Sequence, residues 1–66
     1  MELTVNGDSR TLDEGATVAD LVRELGLEGQ RLAVEVNREI VPRSTHPGHV
    51  LRAGDRVEIV HAIGGG

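Results

Sequence analysis

A chain of 66 residues with a net charge of -4, 38% hydrophobic residues, no cysteine, no aromatic residue and no lysine makes one domain with no cleft between lobes. At this size folding buries only about 60% of the surface that the unfolded chain exposes. The missing cysteines exclude disulfides, thiolate zinc sites and a side-chain sulfur nucleophile. The acidic balance and the missing rings argue against nucleic acid. No apolar run approaches the roughly 20 residues of a membrane span and no signal-peptide pattern stands at the start, so the cytoplasm is the expected compartment.

Leu3 and Val5 alternate with Glu2, Thr4 and Asn6, the period of a half-buried strand. Asn6-Gly7 follows, and an Asn-Gly pair suits the two positive φ angles of a type I′ hairpin turn. A strand over 2–6 therefore pairs with one over 8–13, in which Leu12 is the inward residue. Between Thr17 and Leu25, the residues Val18, Leu21, Val22 and Leu25 form one apolar stripe, opposite Asp20, Arg23 and Glu24. Thr17 with Asp20 has the spacing of a capping box, with Ala16 and Leu21 at the staple positions. Gly26 is placed to end the helix in a left-handed conformation, with Leu27 beyond it as in a Schellman motif.

Leu32, Val34 and Val36 alternate with Ala33, Glu35 and Asn37 as a third strand, and Asn37-Arg38 turns the chain into a short fourth, Glu39–Val41, which Pro42 limits. Residues 43–49 read as a loop by composition. Ala53-Gly54-Asp55 makes a turn into the last strand, Arg56–Ile63, with Val57 and Ile59 inward. One helix on a mixed four- to five-stranded sheet is an α+β roll of two layers. A crossover through the helix places the first and last strands side by side in mid-sheet. Domain organisation follows as a body over 1–63 and a flexible glycine tail over 64–66.

The last three residues, Gly64, Gly65 and Gly66, are three of nine glycines. Glycine is costly to order, so a glycine tail directly after a hydrophobic strand calls for a purpose. The order of elements, the stretch Glu39-Ile40-Val41-Pro42-Arg43, the stretch Leu51–Ile59 and the ending Val60-His61-Ala62-Ile63-Gly64-Gly65-Gly66 together resemble the ThiS family, over essentially the whole chain. These are ubiquitin-like, β-grasp sulfur carriers of thiamine biosynthesis. The resemblance implies that the Gly66 carboxylate is adenylated by an ATP-dependent partner of the ubiquitin-activating type. A persulfide enzyme then converts it to a thiocarboxylate, which donates sulfur to thiazole synthase. It implies no bound cofactor and no active site on the carrier, which is expected to be a monomer when free. Gly64 and Gly65, lacking Cβ atoms, fit a narrow channel in such a partner, and the three glycines extend about 10 Å at roughly 3.3–3.6 Å per residue.

A tail that short binds weakly alone, so affinity falls to the body. On the last strand Val60 and Ala62 alternate away from Val57 and Ile59. With Ile63, and Ala33 from a neighbouring strand, they form the expected docking patch; the alternative is ordinary edge residues. His46 and His49 lie three apart, but with no cysteine and on a Pro-Gly loop they read as solvated rather than as half a metal site. His61 reads as half-buried with a backbone partner. Glu35, Glu39, Asp55 and Glu58 read as solvated charges that steer a basic partner. Three rival functions stand beside the thiazole carrier: a carrier for molybdopterin or another metabolite, a ubiquitin-like protein modifier, and a stand-alone binding module. The absence of lysine excludes lysine-linked chains of the protein on itself.

Overall fold

The structure is a computed structural model and describes residues 1–61. In chain order it has β1 (Glu2–Val5), β2 (Asp8–Thr11), α1 (Val18–Glu24), β3 (Leu32–Val36), β4 (Glu39–Val41), a 3₁₀ helix (Arg43–Gly48) and β5 (Arg56–His61). The strands form one sheet in the order β2-β1-β5-β3-β4. β1 and β5 run parallel in the middle, while β1·β2, β3·β5 and β3·β4 are antiparallel. The mid-sheet pairing of first and last strands is the one that the helix crossover requires.

Local chemistry explains each boundary. Asn6 and Gly7 take φ angles of 51° and 86°, the left-handed pair that turns β1 into β2. The Thr17 hydroxyl accepts from the Asp20 N–H at 3.1 Å and the Asp20 carboxylate accepts from the Thr17 N–H at 2.9 Å, which completes the capping box. At the other end Gly26 has φ 73°; its N–H bonds the Arg23 carbonyl and that of Leu27 the Val22 carbonyl, both at 3.0 Å, closing a Schellman motif. The β3–β4 turn repeats the left-handed pair with Asn37 at φ 53° and Arg38 at φ 69°.

The helix lies on one face of the sheet. Leu3, Val5, Val34, Val36, Val57 and Ile59 point to it and are buried together with Val18, Leu21 and Leu51. Among the described residues every buried side-chain nitrogen and oxygen has a hydrogen-bond partner.

Several expectations need correction. β1 and β2 are shorter than 2–6 and 8–13, because Asn6 already belongs to the turn and the ladder stops at Glu2↔Thr11. The segment expected as a loop is a 3₁₀ helix, and His46 within it is buried at 8% exposure, not solvated. Its ring Nε2–H donates to the Val41 carbonyl at 3.1 Å, so the segment folds back over the end of β4 and brings its own partner for the buried ring. β5 is described as far as His61; the expected continuation to Ile63 lies outside the described residues, as do the tail 64–66 and its boundary with the body.

Candidate functional site

The face of the sheet opposite the helix is uncovered by any described element. The pairing registers fix its layout. Val60 lies opposite Ala33, Glu58 opposite Glu35, and Glu35 in turn opposite Ile40. Since residues opposite each other share a face, these form two rows across β5, β3 and β4. Val60 is 60% exposed and Ile40 66%. The row nearest the chain's end is thus apolar (Val60, Ala33), and the next carries two carboxylates with Ile40 beside them. Arg56 approaches Glu58, Nε to Oε1 at 3.6 Å, an exposed pair that contributes little to stability.

Of the expected docking residues, Val60 stands exposed beside the half-buried Ala33, as alternation required. Ala62, Ile63, Gly64, Gly65 and Gly66 lie outside the described residues. Residues 62–66 follow His61, and five residues span at most about 17–18 Å, which bounds how far Gly66 can lie from the end of β5. Any protein that acts on Gly66 must come within that distance of the end of β5, which makes the Val60 and Ala33 row the nearest part of the open face.

The root of the tail is held in two ways. The carboxamide of Asn6 accepts from the Ile59 N–H at 2.8 Å and donates to the Ile59 carbonyl at 3.1 Å. His61 pairs with Leu32, and its ring Nε2–H donates to Gln30 Oε1 at 2.6 Å. His61 is exposed and its partner is a side chain, which corrects the half-buried ring with a backbone partner expected from sequence. Asp55 is likewise no free charge: its carboxylate accepts from the Arg52 N–H at 2.9 Å and from Asn37 Nδ2 at 3.0 Å, so it shapes the turn into β5.

Sequence reasoning missed Ile40 and Asn6. A three-residue strand is too short for alternation to say which way Ile40 points. Asn6 reads from the sequence as a turn residue, but its carboxamide carries a donor and an acceptor side by side and can pair with both groups of a peptide unit. Among the described residues no group of three or more histidine, aspartate or glutamate side chains is placed to hold a metal ion, and no helix is long and apolar enough to cross a membrane.

One helix packed in the crook of a mixed five-stranded sheet, with the last strand in the middle beside the first, is a β-grasp, ubiquitin-like domain. Residues 3–66 match the ThiS family, and the chain belongs to it. The sulfur carrier protein ThiS of Thermus thermophilus is 39% identical over 62 residues, covering 94% of this chain and 95% of that one. The crystal structure of the thiamine biosynthesis protein ThiS from Geobacter metallireducens superposes with a TM-score of 0.86 at 35% identity, each chain covered in full. A thiazole synthase of Paramagnetospirillum magneticum is 44% identical over all 66 residues, yet the chain spans only 20% of that protein's length.

Proposed function

We propose that this chain is a sulfur carrier for the thiazole of thiamine and that its reacting group is the Gly66 carboxylate. A carboxylate is a poor electrophile. Joined to AMP with release of pyrophosphate, it becomes a mixed anhydride with a good leaving group. Persulfide sulfur from a donor enzyme attacks the acyl carbon and displaces AMP, and cleavage of the resulting acyl persulfide by a second thiol leaves the thiocarboxylate. The carrier is then a co-substrate of an adenylyltransferase of the ubiquitin-activating type and of thiazole synthase, and contributes no catalytic group of its own. It works in the cytoplasm, where ATP is at hand.

The observation that carries the reading is the match to the ThiS family, which runs through Gly64, Gly65 and Gly66. Geometry supports it. The tail follows a strand that is paired on both sides, beside an open face whose nearest row is apolar. Val60 and Ala33, continued by Ala62 and Ile63, form the surface on which the partners dock, and the net charge of -4 draws in a basic partner. A domain alike over its full length within a thiazole synthase supports that enzyme as the consumer of the sulfur.

The test is exchange of labelled pyrophosphate into ATP by the activating enzyme in the presence of the chain, followed by sulfur transfer to thiazole synthase. Exchange that vanishes when Gly66 is deleted, together with a thiamine requirement when the gene is lost, is the expected result. AMP activation followed by attachment of the chain to other proteins would establish the modifier reading instead.

A further inference from the structure

The ladder between β1 and β5 ends where β1 turns away. Its rungs include Thr4 N–H to the Asp55 carbonyl at 3.0 Å and Asn6 N–H to the Val57 carbonyl at 2.9 Å. In a parallel ladder the next rung would join the Ile59 N–H to the backbone carbonyl of residue 6. That carbonyl is turned aside, because Asn6 and Gly7 adopt φ 51° and 86° to reverse the chain into β2. The Asn6 side chain takes its place: Oδ1 receives the Ile59 N–H at 2.8 Å and Nδ2 donates to the Ile59 carbonyl at 3.1 Å. A carboxamide is a peptide unit in miniature, so it supplies both the acceptor and the donor that a strand would have supplied.

We propose that Asn6 is a positioning residue for the chemistry at Gly66: its side chain carries the ladder one rung past the end of β1 and so sets the direction in which β5 delivers its C-terminal end to the partner. This role rests on the reading of Gly66 given above. The choice of residue is informative. Glycine and aspartate also serve the first position of such a turn, but glycine offers Ile59 neither group, and aspartate offers no donor and sets a carboxylate against the Ile59 carbonyl.

The protein contains its own control. Asn37 holds the equivalent place in the other hairpin, at φ 53°, and it too binds β5. Its N–H donates to the Arg56 carbonyl at 2.8 Å and its Oδ1 accepts from the Arg56 N–H at 3.0 Å. Asn37 therefore pins the first residue of β5, while Asn6 pins Ile59, two residues before the last described residue of the strand. Both are turn residues and both clamp the same strand, but only one stands at the end that leads to Gly66.

The experiment compares Asn6→Gly and Asn37→Gly, each of which keeps its turn, with Asn6→Asp as an intermediate. Hydrogen exchange is followed at Ile59, and kcat and KM for the carrier are measured in adenylation by the activating enzyme. For Asn6→Gly, exchange at Ile59 is expected to rise by about tenfold relative to Val34. Its kcat is expected to fall by about tenfold with KM within about twofold, the split that separates positioning from docking. Asn6→Asp is expected to fall between Asn6→Gly and the native chain. Asn37→Gly is expected to lose comparable thermal stability and to keep kcat within about twofold. Equal loss of kcat in the two glycine variants, or full kcat in Asn6→Gly, overturns the role of Asn6 alone. A native chain that accepts no AMP overturns the reading of Gly66 and this role with it.

Discussion

Along β5, Val57 and Ile59 are 0% and 6% exposed under the helix, while Val60, one residue further, is 60% exposed. The same holds on β3, where Val34 and Val36 are buried and Ala33 and Glu35 face the other way. The strands that build the core therefore also build an uncovered surface, through nothing more than the two-residue period of a strand. Folding decides the helix side, where every side chain must fit. It leaves the opposite side free, and there Val60 stands in the open beside Ala33 and Ile40 beside Glu35. Substitutions on the two sides should accordingly fail in different assays.

The largest effect belongs to the covered side. Leu21→Ala empties the centre of the helix contact, where Leu21 is fully buried. It should cost about 3 kcal/mol, against a total of about 3–10 kcal/mol for a chain of this length. Chemical denaturation reads this directly, and a loss below about 1 kcal/mol would show that the helix face is not the core. Val60→Asp, on the open side, should change stability by less than about 1 kcal/mol. It should lower kcat/KM for adenylation about tenfold, mainly through KM. Unaltered adenylation would remove Val60 from the proposed docking surface.

Thr17→Ala bears on stability alone, because Thr17 caps the helix at the edge of the covered side, away from the proposed docking surface. A loss of about 1 kcal/mol with adenylation unchanged is expected. The smallest effect is acid-dependent. The Thr17 N–H that donates to its carboxylate, then the Thr17 hydroxyl and the charge of Arg23, hold Asp20 below its ordinary value of 3.8. A depressed carboxyl contributes stability above its unfolded value and loses that contribution as pH falls through the folded one. The melting temperatures of the native chain and of Asp20→Asn should therefore differ at neutral pH and converge below about pH 3.8. A constant difference would mean that the charge of Asp20 adds nothing to the cap.

Much of this was legible from local pattern. Asn6-Gly7, the Thr17–Asp20 box and Gly26 are short-range devices whose chemistry depends on residues within five positions of each other, and alternation alone turned Val60 outward. What was hidden depends on tertiary neighbours. Arg43–Gly48 has the composition of a loop, and His46 is buried there because the segment packs against α1, with the Val41 carbonyl to pair its ring. Asn6 is 53 residues from Ile59 in sequence, a distance at which no periodicity speaks. Asp55 and Glu58 look alike as acids near a strand, yet one closes a turn through two hydrogen bonds and the other stands on the open face.

The proposed function has the body present Gly66 and places the chemistry on its carboxylate. Weighing the intact chain after incubation with ATP, the activating enzyme and the persulfide donor tests it most directly. A mass gain equal to one sulfur replacing one oxygen, confined to the last residue by fragmentation and absent when Gly66 is deleted, is the predicted result. A native chain that keeps its mass while all three components are shown to be active, or one that gains sulfur without Gly66, would contradict it.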